Sequence, residues 1–149
     1  MHGVQPLMLD AVRKTLENYA RRGVFRSLSE TGNVFRFHWL WNAAFTLAVE
    51  EKTATLVFRG LLPGASAIEA DVKAWLAEAA SEGTVAHRRL DSRELTATCS
   101  RGSIRFRVRN GDFSAGVKRA IQAVNELFVT HLSARHPSYL VEHFHVSED

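Results

Sequence analysis

Apolar side chains recur at every second position in several segments of the chain, and this alternation constrains the fold more than any other feature. It is strict in Ser103–Arg109, where Ile104, Phe106 and Val108 alternate with polar residues. A period of two is typical of a strand with one buried face, because successive side chains point to opposite sides. The sequence therefore predicts an antiparallel sheet with one apolar face. The predicted strands are Val24–Leu28, Val34–Trp41, Ala43–Val49, Thr53–Arg59, Thr84–Leu90, Glu94–Cys99 and Ser103–Arg109.

Helical periodicity occupies the segments before, between and after these strands. Ser66 and Glu69 have the spacing of a capping box, which marks the start of the second helix. The predicted helices are Leu7–Arg22, a helix from Ser66 to Gly83, and a last helix from Asp112 or Ser114 to Pro137. The fold class is therefore α+β: an antiparallel sheet of about six strands with three helices, in the order α-βββ(β)-α-βββ-α.

The residues after Pro137 are too apolar to remain in solvent. Tyr139, Leu140, Val141, Phe144 and Val146 all lie between residues 138 and 149. We therefore expect this tail to dock on the body of the protein or on a partner. The chain of 149 residues is long enough for one core, and we expect a single domain over residues 1–149.

The cysteine content and the hydropathy of the chain indicate the cellular compartment in which we expect it. The chain has one cysteine, Cys99, so no disulfide can form within it, which fits a reducing compartment. No apolar run approaches the length of about 20 residues needed to span a membrane. The first residues lack the layout of a signal peptide. We therefore expect a cytoplasmic protein that does not associate with membranes.

The order of helix, strand meander, helix, strand meander and helix over Leu7 to Leu132 resembles the α+β domains of type III secretion chaperones and YbjN-like bacterial proteins. This resemblance lies in the topology and assigns no functional residue. It implies a protein without enzymatic activity whose exposed sheet or helices bind other polypeptides, often as a dimer.

Positive charge is concentrated in one segment. Seven arginines lie in residues 84–110, although the formal net charge of the whole chain is only +3. In the predicted strand Ser103–Arg109, the side chains of Arg105, Arg107 and Arg109 would project from one face, and the earlier strands could add Arg36, His38 and Arg59. Such a face could bind nucleic acid, a phosphorylated ligand or an acidic peptide. It could equally be a solvated face whose charge is offset by Glu94 and by helix carboxylates.

The densest apolar feature is the predicted strand Val34–Trp41. Phe35, Phe37, Trp39 and Trp41 would share one face of it, and four aromatic rings on one strand face are typical of a core. The alternative is a hydrophobic pocket or a dimer surface, and Trp39 and Trp41 would be its lining.

The sequence offers no specific signal for a metal or for catalysis. His143 and His145 would share a face only within a strand, and no third ligand has a defined spacing to them. Cys99 falls on the apolar side of its predicted strand, where a thiol behaves as a small hydrophobic group. Motifs of nucleotide-binding loops, zinc peptidases and serine hydrolases are absent from the sequence. We therefore predict no catalytic residue, no metal and no cofactor.

Two functional hypotheses follow. The first is a non-catalytic, chaperone-like domain that binds another polypeptide or a second copy of itself. The second is a protein that binds a small ligand or an anion, with or without enzymatic activity, through an arginine-lined sheet face beside an aromatic pocket. Nucleic acid is disfavoured, because the aromatic residues of the arginine-bearing strand point to its apolar side. The candidate surface comprises Arg36, His38, Arg59, Arg105, Arg107, Arg109, Trp39 and Trp41.

Overall fold

Six strands and four helices make up the described part of the molecule. The structure, a computed structural model, describes residues 8–63, 66–79, 95–109 and 112–144. The strands are β1 (Arg26–Thr31), β2 (Val34–His38), β3 (Ala44–Glu50), β4 (Thr55–Arg59), β5 (Leu95–Ser100) and β6 (Ser103–Val108). The helices are α1 (Met8–Arg21), α2 (Ala67–Ala79), α3 (Phe113–Glu126) and α4 (Pro137–Phe144). α3 continues through a π-helical segment, Leu127–Leu132, and a last helical turn, Ser133–Arg135.

The strands form one antiparallel sheet in the order β1-β2-β3-β4-β6-β5. The predicted α+β class is thus confirmed. Gly32 and Gly102 adopt positive φ in the β1–β2 and β5–β6 turns, a conformation that glycine reaches without steric cost. The predicted strand Thr84–Leu90 lies outside the described residues.

One face of the sheet forms the core. Register places Phe37 opposite Phe45, Leu56 opposite Phe106, and Leu95 opposite Val108, so all of these side chains lie on the same face. Each is buried beneath the helices. The alternation seen in the sequence therefore identified the covered face, because side chains on the core side must be apolar to leave water.

Side-chain oxygens accept hydrogen bonds from backbone N–H groups at the starts of the first two helices. The Glu51 carboxylate accepts hydrogen bonds from the backbone N–H groups of Met8 (3.1 Å) and Leu9 (2.5 Å), which satisfies donors at the start of α1. Before α2, the Ser66 hydroxyl accepts from the N–H of Glu69 (3.2 Å), as the predicted capping box requires. The Glu69 side chain is buried and accepts from the N–H of Gly102 (2.7 Å), which fixes α2 to the β5–β6 turn.

The apolar tail docks as a fourth helix, so the prediction of three helices was wrong by one. His136 leaves the helical conformation (φ −136, ψ 53) immediately before Pro137, whose fixed φ suits the first turn of a new helix. α4 buries Leu140 and Phe144 in the core. The ring of Phe144 lies 5.0 Å from that of Phe128, measured between centroids. Residues 145–149 lie outside the described part of the chain.

The predicted strand ending at Trp41 is also corrected, because β2 ends at His38. Residues 39–43 form the turn between β2 and β3, in which the Trp39 N–H donates to the Ala43 carbonyl (3.0 Å). Trp41 (φ 54) and Asn42 (φ 56) adopt the left-handed conformation that reverses the chain. The alternation of aromatic residues therefore continues to Trp41, three positions beyond the end of β2.

Candidate functional site

The second face of the sheet carries a row of arginines. Opposite Cα partners share a face, and register places Arg36 opposite Thr46, Thr46 opposite Arg59, and Val57 opposite Arg105. Arg107 lies opposite Thr55, and Arg26 lies opposite His38 at the β1 end. We define the basic face as the exposed arginines on this side of the sheet: Arg26, Arg36, Arg59, Arg105 and Arg107. The helices pack on the opposite, apolar face.

The spacing of the strands sets the dimensions of the basic face. Neighbouring strands lie about 4.8 Å apart, so Arg36 on β2 and Arg59 on β4 project from backbones about 10 Å apart. Arg105 and Arg107 lie two positions apart on β6, about 7 Å along the strand. The four guanidinium groups thus spread over a surface four strands wide, which suits an extended ligand rather than one compact anion.

Only one carboxylate among the described positions of this face opposes the arginines. Glu50 pairs with Arg105, with 3.0 Å between Oε2 and Nη1, and both side chains remain about half exposed. Arg26, Arg36, Arg59 and Arg107 form no ion pair with any described residue. The solvated-face alternative relied partly on Glu94, which lies outside the described residues. Among the described residues, the basic face therefore keeps a net positive charge.

The centre of the basic face is apolar and lacks aromatic rings. Ala48 lies opposite Val57, and both are buried although they lie on the side away from the helices. The other described positions of this face are occupied by Ser, Thr, Ala, Val and His38. None of them is Phe, Tyr or Trp, so this part of the face provides no platform on which nucleobases could stack.

The two candidate tryptophans lie on the opposite, helix-covered side of the sheet. Trp39 contacts Phe25 edge-on, with 5.2 Å between centroids, and Trp41 packs against Phe128 and Phe144 at 6.5 and 6.4 Å. The structure therefore brings together Arg36, Arg59, Arg105 and Arg107, with His38 at their margin, but does not bring the tryptophans to them. Arg109 is exposed and follows the end of β6, outside the strand.

Cys99 is held in an unreactive form. It is 7% exposed, and burial together with the nearby charge of Glu69 raises the pKa of its thiol to about 11. Since the thiolate is the reactive form of cysteine, this thiol lacks nucleophilic character at neutral pH. Among the described residues, no group of three or more His, Cys, Asp or Glu side chains is placed to hold a metal ion. His143 is described, whereas His145 is not.

A second polar site, on the helix side, was missed by sequence reasoning. Oδ2 of Asp71, on α2, lies 3.2 Å from His131 Nε2, 2.6 Å from His136 Nε2 and 3.2 Å from Arg135 Nε. Burial opposes ionisation of Asp71, but the hydrogen bond from His136 and the neighbouring His131 and Arg135 lower its pKa overall. His131 and Arg135 are four residues apart, the spacing of one helical face, and His136 follows the last helical turn.

Comparison with known proteins gives no relative to guide the assignment. No protein-family model, curated protein or solved structure matches the chain. The function must therefore be argued from the two sites described above. None of the described helices is long and apolar enough to cross a membrane.

Proposed function

We propose that the protein is a non-catalytic binding domain that holds an acidic polypeptide segment on its basic face. The observation that supports this most directly is the placement of five exposed arginines on the sheet face away from the helices, where Glu50 is the one carboxylate among the described positions. Guanidinium groups pair bidentately with carboxylates, so each arginine offers a site for a partner Asp or Glu. Such a role is chaperone-like, because it requires the protein to bind a polypeptide without catalysing a reaction.

An acidic polypeptide fits this face better than nucleic acid does. Sheet surfaces that bind single-stranded nucleic acid normally add exposed aromatic rings on which bases stack. The described positions of the basic face supply arginine, threonine and small apolar side chains instead.

The arginines and the aromatic rings lie on opposite sides of the sheet, which argues against a small ligand bound between them. A small ligand held between arginines and aromatic rings would need both on one side of the sheet, whereas Trp39 packs on the opposite side from Arg59 and Arg105. In a homodimer, two basic faces placed against each other would repel, so self-association would use another surface. A buried, unpaired Cys99 is compatible with the reducing cytoplasm, where we place the activity.

Fluorescence anisotropy of a labelled oligoglutamate peptide tests the proposal. The face variant replaces Arg36, Arg59, Arg105 and Arg107 by Gln. A matched control removes the same charge from exposed positions of the helix layer, by replacing Lys14, Arg21, Arg22 and Lys118 by Gln. At low ionic strength of about 50 mM, we expect the wild-type chain and the control to bind, and the face variant to bind at least about tenfold more weakly.

Two results would contradict the proposal. Equal weakening in both variants would show that net charge alone attracts the peptide, without a defined site. Tighter binding of a single-stranded oligonucleotide of the same charge would assign the face to nucleic acid instead. Circular dichroism of both variants checks that the fold is retained.

A further inference from the structure

The helix side of the molecule contains an open groove, separate from the basic face. We define the helix-side groove by the ends of α1 and α2 as its walls and by the exposed side of α3 and its π-helical continuation as its floor. It encloses about 840 Å³, a size typical of small-molecule binding sites. Its lining includes Tyr19, Trp39, Trp75, His131 and Arg135. The charged residues Glu78, Arg119 and Glu126 also line it, and each of them interacts with another group of the protein.

Aromatic rings form part of the wall of this groove. Tyr19, Trp39 and Trp75 all line it. The Trp75 indole lies beside the His131 imidazole, with 5.9 Å between ring centroids and 35° between ring planes. Three rings around one groove offer flat surfaces on which a planar ligand can stack.

Asp71 orients the polar groups at one end of the groove. Its Oδ2 accepts from Nε2 of His131, which fixes the orientation of that imidazole at the wall of the groove. The closest approach of the same oxygen to Arg135 is at Nε (3.2 Å), and the Arg135 side chain is 63% exposed, so its terminal Nη groups can contact an anion. The His131 side chain is 16% exposed and that of Asp71 is 18% exposed, so the surrounding protein restricts the movement of both side chains.

The π-helical segment brings His131 into this position. Leu127–Leu132 departs from α-helical geometry, and the Ser133 hydroxyl donates to the Phe128 carbonyl five residues earlier (2.9 Å). One extra residue per turn rotates every following side chain by about 100° relative to a regular helix. π-Helical turns are rare and occur frequently at functional sites, where they redirect a side chain.

From the cavity, the rings and the oriented His131–Arg135 pair, we propose that the helix-side groove binds a small aromatic carboxylate. Its ring stacks on Trp75, and its carboxylate contacts Arg135. The site is independent of the basic face, which lies on the other side of the sheet. Failure of either proposal therefore leaves the other unaffected.

Calorimetric titration of the full chain with 2-naphthoate tests this site, and 2-naphthalenemethanol is the neutral probe of the same shape. We expect naphthoate to bind saturably and the neutral probe to bind at least about fivefold more weakly, because it cannot form a charge-assisted contact. Arg135→Gln and Trp75→Leu should each weaken naphthoate binding about tenfold. Arg107→Gln carries the same charge change on the opposite side of the sheet, and we expect it to bind like the wild type.

Several results would overturn the proposal. Absence of saturable heat with naphthoate would exclude the site, and equal binding of both probes would exclude recognition of the anionic group. If Arg135→Gln and Arg107→Gln weaken naphthoate binding equally, Arg135 does not recognise the carboxylate specifically. If Trp75→Leu fails to fold, Trp75→Phe replaces it. This variant keeps a ring and should retain most of the binding, and complete loss would contradict stacking.

Discussion

Replacing Phe106 by Ala tests which face of the sheet is covered, on which the functional proposal depends. Phe106 is 1% exposed, lies opposite Leu56 and contacts the Phe58 ring edge-on at 5.9 Å between centroids. A buried aromatic side chain removes about 150–250 Å² from water. At about 25 cal/mol per Å², the lower figure corresponds to about 4 kcal/mol. Measured Phe→Ala substitutions in cores cost about 3–5 kcal/mol, so we expect a loss in this range.

The matched control is Arg107→Ala, one residue along the same strand. Arg107 is exposed and forms no ion pair within the described chain, so its removal should change the free energy of unfolding by about 0.5 kcal/mol or less. Urea denaturation, followed by tryptophan fluorescence and circular dichroism, gives both values. A loss below about 1 kcal/mol for Phe106→Ala, or a larger loss for Arg107→Ala, would refute the assignment of the two faces.

Three further predictions concern the interior and the helix layer. The lowered pKa of Asp71 contributes stability that is present above the unfolded carboxyl pKa of about 3.9 and is lost as the pH falls through the lower, folded pKa. Denaturation between about pH 5 and about pH 2 should therefore show a smaller loss of stability in Asp71→Asn than in the wild type. Gly116→Ala should destabilise the protein by about 1–3 kcal/mol, because the added Cβ would lie 2.7 Å from a Val108 methyl group. In a double-mutant cycle Val108→Ala should relieve most of this cost, and full additivity would contradict the clash. Cys99, with its raised pKa of about 11, should resist a thiol reagent at neutral pH until the chain unfolds, so rapid labelling of the native protein would contradict its burial.

Local periodicity was sufficient to predict the faces of the sheet. Phe106 and Arg107 fall on opposite sides because neighbouring residues of a strand must do so, and in β6 the apolar residues Ile104, Phe106 and Val108 all lie on the covered side. The same alternation along β2 and β4 predicted that Arg36 and Arg59 lie on the basic face. These assignments rest on the alternation of side chains at positions i and i+2, which can be read from a single sequence.

The corrected features depend on contacts between distant residues. Trp41 lies in a left-handed turn rather than a strand, although a non-glycine residue seldom adopts a positive φ. Its ring packs on Phe128 and Phe144, which come from the last two helical segments. No pattern near Trp41 in the sequence reports those contacts.

The Asp71 site illustrates the same limit. Asp71 meets His131 and His136 across sequence separations of 60 and 65 residues. The π-helical segment also shifts the angular position of every side chain after it. Local helical spacing places His131 and Arg135 on one face, but it does not report that Asp71 of α2 lies against that face.

Binding of acidic peptide to the basic face can be observed directly through the arginine side chains. A ¹H–¹⁵N NMR spectrum of the arginine Nε–Hε groups, assigned with single Arg→Gln variants, reports each guanidinium separately during titration with oligoglutamate. We expect shifts at Arg36, Arg59, Arg105 and Arg107 that saturate together, whereas Arg21 and Arg22 at the end of α1 remain unchanged. Shifts of similar size at all exposed arginines, or shifts confined to the helix side, would contradict the proposed binding surface.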